Sequence, residues 1–205
     1  MLKVFISGLE RQTGKTIVTA GLAATMQSLS YSTSVYKPIQ TNATLLHGFK
    51  TSPDLTVIKK FDPNITTDST YVLRSSAPPF ISSYEDNVKI NLTTIYTEFQ
   101  ASAKMTDCQI VEGSHSISTP IAEHLTEIDI VKTLNLPLIL VVDTKKNTNR
   151  TCNNRFKLYT HKPLQILGSN IEPLQRKFRN FRRKILSANI ERIHWGKYIR
   201  STSGL

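Results

Sequence analysis

With 205 residues and 39% hydrophobic content, the chain can bury one sizeable core, and its length suits one domain over residues 1–205 better than two. The apolar run after Met1 is too short for a signal peptide, and nothing later reaches the roughly 18 apolar residues of a membrane span, so the reading is a soluble, cytoplasmic protein with no membrane partner. The net charge of +11 lies wholly in the C-terminal third: from Lys145 onward 15 Lys/Arg face 2 acidic residues, which leaves the first 144 residues at −2. A block such as Arg176-Lys177-Phe178-Arg179 has the aromatic interleaving of a nucleic-acid patch. The favoured reading is a solvated helix face that attracts phosphorylated ligands, with nucleic acid not an expected partner. Cys108 and Cys152 have no partner spacing and read as plain thiols. The sequons at Asn42, Asn64, Asn91 and Asn149 would matter only in a secreted chain.

In chain order, Val4-Phe5-Ile6 reads as a short strand ending at Gly8, and Val18, Leu22, Met26 and Leu29 fall at helical spacing after a Gly-Lys turn. Thr33 to Tyr36 resembles a second strand stopped by Pro38, and the polar stretch through Thr51 has no strong pattern. Ser52-Pro53-Asp54-Leu55 is a helix start, with Ser52 as cap and Pro53 at the first position. Tyr71-Val72-Leu73 reads as strand, Ala77-Pro78-Pro79 as a break, and Leu92 to Ala103 as an amphipathic helix. Cys108 to Val111 is a strand ending in Glu112-Gly113, and Ile128 to Leu134 is helical. Leu138 to Val142 is the strongest buried-strand signal, and Leu164 to Gly168 a last core strand. Strands alternating with helices predict an α/β fold, a doubly wound, mostly parallel sheet with helices on both faces, and Gly14-Lys15-Thr16 after the first strand makes it one of P-loop NTPase type.

Gly8-Leu9-Glu10-Arg11-Gln12-Thr13-Gly14-Lys15-Thr16 lies between the first strand and the first helix, the context in which a Gly-Lys-Thr string has physical meaning. Backbone N–H groups and the positive helix end face phosphate there, Lys15 neutralises β/γ oxygens, and the Thr16 hydroxyl reaches Mg²⁺. The usual spacing puts four residues between the glycines. Gly8 to Gly14 leaves five.

This longer loop is similar to that of the dethiobiotin synthetases, typically Gly-Thr-Asp-Thr-x-x-Gly-Lys-Thr. The partition ATPases share the ending but place a lysine where this chain has Glu10. The resemblance covers residues 2–143 and continues through Tyr36-Lys37-Pro38, Ser52-Pro53-Asp54 and Glu112-Gly113, in family order. It implies that Lys37 and Lys15 are the catalytic cations on the transferring phosphoryl group, and that Thr41 touches substrate. Mg²⁺, as cofactor with ATP, would be held by Thr16, Asp54 and Glu112, an oxygen set suited to that ion. ATP would contact Gln12, Thr13, Gly14, Lys15, Thr16, Ile17, Asp54, Glu112, Gly113, Ser114, His115 and, at the end of the last strand, Asn170. The implied reaction joins 7,8-diaminononanoate to CO₂ or bicarbonate and closes a ureido ring, in a homodimer.

The chain departs from the family at three places. Arg11 stands where the family usually has Thr, and Ser114-His115-Ser116 where it has a glycine run. Lys145 to Arg150 replaces a Gly- and Asn-containing loop, and residues 144–205 are basic and divergent. Two alternatives stay open on this reading: a nucleotide-dependent binding switch using the basic C-terminal face, and a degenerate homologue that binds ATP without turnover.

Overall fold

The computed structural model describes residues 2–102 and 106–143 and the backbone of 165–169. Strand β1 (Leu2–Gly8) runs into the phosphate loop and helix α1 (Lys15–Ser28), and β2 (Thr33–Tyr36) follows. A short strand β3 (Ile39–Gln40), a hairpin of β4 (Thr44–Leu46) and β5 (Phe49–Thr51), and helix α2 (Pro53–Phe61) come next. Then β6 (Thr66–Asp68), β7 (Tyr71–Val72), α3 (Pro79–Glu85) and α4 (Leu92–Ser102) lead to β8 (Cys108–Glu112). The described chain closes with β9 (Pro120–Ala122), β10 (Leu125–Thr126), α5 (Glu127–Leu134), β11 (Leu138–Asp143) and β12 (Gln165–Ser169).

Six strands form one parallel sheet in the order β12-β11-β1-β8-β2-β6. Side chains alternate across a strand, so each face needs its own cover. Val4 and Ile6 of β1 pack with Ala20 and Ala23 of α1 and with Leu55 and Ile58 of α2. Phe5, between them, faces the opposite layer with Ile95 and Phe99 of α4 and Ile128, Val131 and Leu134 of α5. The predicted doubly wound α/β architecture is therefore the observed one. Cys108 is a free thiol in the first of these layers, and burial pushes it up to about 11.

The helix start at Ser52 forms as its sequence dictates: the Ser52 hydroxyl accepts the Leu55 N–H at 3.2 Å, with Pro53 in the first turn. Four features differ from the sequence reading. The patternless stretch before Thr51 contains β3 and the β4–β5 hairpin, whose two-residue loop, His47-Gly48, has φ of 50° and 83° at its two positions. Positive φ at both central residues matches the twist of a tight hairpin, a signal weak in His-Gly and strong in Asn-Gly. Tyr71-Val72 pairs with β3, outside the main sheet. The break at Pro78-Pro79 is the entry to α3, with Pro79 at its start. The edge strand β6, too short and polar to read, completes the sheet beside β2.

Asp86, at the end of α3, ties the hairpin to the segment after β7. Its carboxylate accepts Lys50 Nζ at 2.6 Å, Arg74 Nε at 2.8 Å and the Arg74 N–H at 3.2 Å. The Lys50 hydrogen bond, joined by those of Arg74, holds the carboxyl down at about 2 against an ordinary 3.8. A depressed carboxyl contributes stability above its unfolded value and loses it as pH falls through its folded one. Hydrogen exchange should therefore show the β4–β5 amides losing protection between about pH 4 and pH 2. In Asp86→Asn the same loss should be present already at neutral pH, with core amides unchanged.

Candidate active site

The loop between β1 and α1 is shaped by close approach. A Cβ on Gly8 would stand 2.5 Å from Thr13 Oγ1 and 2.9 Å from the Glu10 carbonyl oxygen, so only glycine lets the chain turn there. Gly14, the residue before α1, has φ of 84°, a left-handed conformation that glycine adopts without steric cost. No side chain caps α1 and its first turn holds no acid, so no side chain stands between its N-terminus and an anion.

The carboxyl ends of three neighbouring strands, β1, β8 and β2, supply the rest. Lys37 follows β2, is 1% exposed, and donates to Glu112 Oε1 at 2.9 Å and to the Gly113 carbonyl at 3.1 Å. It also pairs with Asp54 Oδ2 at 2.9 Å, bringing the start of α2 to the end of β8. Thr16 donates to Glu112 Oε1 at 2.9 Å, and Lys15 Nζ donates to the His115 carbonyl at 2.5 Å. Segments some 100 residues apart in the chain thus converge, as expected where strands end in an open α/β sheet.

Burial acts on the two lysines with opposite results. Lys15 is pulled below its usual range by desolvation, which Glu127, Glu112 and Asp54 only partly counter. Lys37 is also penalised by desolvation, but contact with Glu112 and Asp54 more than offsets it, so its net direction is upward. For Asp54, burial would raise the carboxyl and Lys37 outweighs it, giving a net downward direction. Burial, then the Arg11, Lys15 and Lys37 charges, push His115 down to about 4, a neutral ring at pH 7. Neither of its ring nitrogens makes a hydrogen bond, the Ser76 backbone being the polar neighbour that weakly opposes the shift.

A cleft of about 300 Å³ opens over these groups. Of the residues anticipated from sequence, Gln12, Gly14, Lys15, Thr16, Thr41, Asp54, Glu112, Ser114 and His115 line it. Thr13, Ile17, Gly113 and the catalytic candidate Lys37 do not line it: Thr13 is buried against Gly8, Lys37 is 1% exposed, and Gly113 lends its carbonyl to Lys37. Asn170 and the basic tail lie outside the described residues. Arg11, Gln40, Asn42 and Pro53 also line the cleft, and Glu127 stands behind it. No local motif marks Glu127: a glutamate in the first turn of a helix ordinarily reads as a solvated residue favoured by the helix dipole.

Among the described residues, no group of three or more His, Cys, Asp or Glu is placed to hold a metal, and no helix is long and apolar enough to cross a membrane. A hydroxyl with two carboxylates still suits an ion that keeps most of its waters. Glu112 Oε2 is buried with no hydrogen-bond partner beside the Thr16 hydroxyl, an open valence that fits a hard cation.

The family model described as AAA domain matches residues 3–172. The chain is 30% identical over 144 residues to the ATP-dependent dethiobiotin synthetase BioD of Fusobacterium nucleatum, covering 69% of this chain and 65% of that one. It is 28% identical over 153 residues to that of Nitrosopumilus maritimus, covering 72% and 66%, and 22% identical over 144 residues to that of Bacillus subtilis, covering 70% and 62%. The match spans just under two thirds of the length of these curated relatives. With its phosphate loop, its parallel sheet and the family model over residues 3–172, the chain belongs to the AAA-domain family of P-loop NTPases, and it is similar over most of that stretch to dethiobiotin synthetases.

Proposed function

We propose that this chain is an ATP-dependent dethiobiotin synthetase, a carbon–nitrogen bond-forming cyclo-ligase of biotin biosynthesis. The observation that carries the reading is that Lys15, Thr16, Asp54 and Glu112 line one cleft at the strand ends, with Lys37 buried directly behind it in contact with both carboxylates. One amine of 7,8-diaminononanoate takes up CO₂ as a carbamate and releases a proton. A carbamate oxygen then attacks the γ-phosphorus of ATP, ADP leaves, and the second amine closes the ureido ring by expelling phosphate. Phosphoryl transfer is catalysed chiefly by positioning and charge neutralisation, which buried cations supply.

Lys15, on the phosphate loop, would meet the β/γ oxygens after releasing the His115 carbonyl. Lys37, gripped by two carboxylates and a carbonyl, is held in one place and would present its charge to the transferring group. Thr16, Asp54 and Glu112 would hold Mg²⁺, whose charge would offset that of the phosphates when bound. Thr41, 6% exposed at the cleft edge, would face the diamine, while the loop from Gln12 to Ile17 and the segment from Gly113 to His115 would face ATP. A homodimer working in the cytoplasm belongs to the same proposal.

Phosphate release from Mg-ATP by the purified chain should rise only when 7,8-diaminononanoate and bicarbonate are both present. Nucleotide binding without such stimulation would reject the synthetase reading. A second reading, an ATP-binding homologue without turnover, is favoured by two details. Lys37 already has all of its protons directed at protein groups, and the His115 ring fills space at the cleft wall. Salt-sensitive retention on DNA or RNA would instead favour the switch built on the basic C-terminal residues.

A further inference from the structure

We infer that Glu127, the first residue of α5, is a positioning residue for the nucleotide site: its buried carboxylate straps the segment after β8 against β1 and so sets the carbonyls that hold both lysines. The inference rests on the P-loop reading of the cleft and goes beyond it to a residue that touches no phosphate.

Glu127 is 1% exposed. Its Oε1 accepts the Ser7 hydroxyl, while Oε2 accepts the Ser114 N–H at 2.7 Å and the Ser114 hydroxyl at 3.2 Å. All three partners donate, which an acceptor-only carboxylate satisfies. Ser7 lies next to the phosphate-loop glycine on β1, and Ser114 lies between the two carbonyls in question. Those carbonyls belong to Gly113, which receives Lys37, and His115, which receives Lys15. The Gly113 N–H donates to the Ile6 carbonyl at 2.8 Å and the Ile117 N–H to the Gly8 carbonyl at 2.9 Å, so backbone bonds pin the segment at its ends. Glu127 alone, among the described contacts, ties Ser114 to β1 between them.

Stability of α5 does not account for an acid here. Asp129 already caps it, its Oδ2 accepting the Thr126 N–H at 2.8 Å and the Thr126 hydroxyl at 3.0 Å. A buried carboxylate is costly to desolvate unless it is well paired, and an apolar residue would fill the position at lower cost. Glu127 also exerts the largest attraction among the charges acting on Lys15. Gly113 completes the case. A Cβ there would stand 2.2 Å from Glu127 Oε1, yet its φ is not in the left-handed region. Its lack of a side chain makes room for this carboxylate.

The test measures the dissociation constant of a non-hydrolysable Mg-ATP analogue for the full chain in Glu127→Ala, Glu127→Gln, Gly113→Ala and the Gly113→Ala/Glu127→Ala pair, with circular dichroism as a check of fold. Glu127→Ala should weaken binding about tenfold or more, comparable to losing a charge-assisted hydrogen bond. Glu127→Gln should stay within about threefold, since the amide can accept from the Ser114 N–H and donate to the Ser7 hydroxyl. Gly113→Ala alone should behave like Glu127→Ala but add nothing in the Glu127→Ala background, the non-additivity of groups in contact. The inference is overturned if folded Glu127→Ala binds like the parent, if Glu127→Gln is as impaired as Glu127→Ala, or if Gly113→Ala costs the same in both backgrounds. Should Glu127→Ala not fold, Gly113→Ala with parental affinity overturns it, and a weakened Gly113→Ala beside an unimpaired Glu127→Gln supports it. Analogue binding needs no diamine, so failure of the synthetase reading leaves this result standing, while a parent chain that binds no nucleotide sinks both.

Discussion

Lys37→Ala is expected to lower diamine-stimulated phosphate release by at least about 100-fold, the loss typical of removing one charge-stabilising donor from a desolvated site. Steady-state kinetics should place the loss in kcat, because the lysine acts on the transferring group more than on the adenosine part of ATP. The same change should cost stability. Glu112 is fully buried and loses one of its two donors, while Thr16 remains at 2.9 Å. Asp54 is one-third exposed and can recover water. Breaking a buried pair costs about 3–5 kcal/mol when the remaining charge is stranded, and these two compensations place the expected loss at the lower end. Lys37→Met should be as inactive as Lys37→Ala but less destabilised, since it keeps the side-chain volume.

The pH dependence follows from the same contacts. The Lys37 pKa is raised, so its contribution is fully present below the unfolded lysine value and is lost only as pH rises through the higher folded one. The Asp54 pKa is lowered, so its contribution is present above the ordinary 3.8 and is lost as pH falls through its folded value. Thermal denaturation of the parent chain should therefore show this cluster contributing steadily across neutral pH and fading in acid. In Lys37→Ala, Asp54 loses the cation that holds it down, and the fading should begin at higher pH.

Lys15→Gln is expected to weaken Mg-ATP-analogue binding by roughly 10- to 100-fold, the worth of a charge-assisted contact. Lys15 is 6% exposed and held to the His115 carbonyl; glutamine removes the charge and, one bond shorter than lysine, gives up that contact while keeping a polar side chain. Isothermal titration should show the loss in affinity for the triphosphate to exceed that for adenosine alone. Unchanged triphosphate affinity would mean that the loop does not hold phosphate, and would sink the nucleotide reading of the cleft. Removing a desolvated charge offsets the lost contact, so melting temperature should fall less than in Lys37→Ala, which strands a buried carboxylate.

Local chemistry made part of this protein legible in one dimension. The Gly8 to Thr16 loop, the Ser52-Pro53 helix start and the buried strands at Cys108 and Leu138 depend on neighbours within a few residues, so backbone preference and hydrophobic period suffice to read them. Lys37, Asp54 and Glu112 were candidates through resemblance to a family, and their union in one ion-pair cluster is a product of sheet order. β8 sits between β1 and β2, which brings Glu112, its last residue, to the Lys37 that precedes it by 75 residues. The His-Gly hairpin and α3 behind two prolines are elements of weak propensity held by tertiary contacts, here Asp86 with Lys50 and Arg74, and the edge strand β6 is held by its pairing with β2. Glu127 is the clearest case: as a residue in a sequence it is a helix-start acid. Only the packing of α5 against β1 and the segment after β8 turns it inward, where a charge must be satisfied by Ser7 and Ser114 because water is absent.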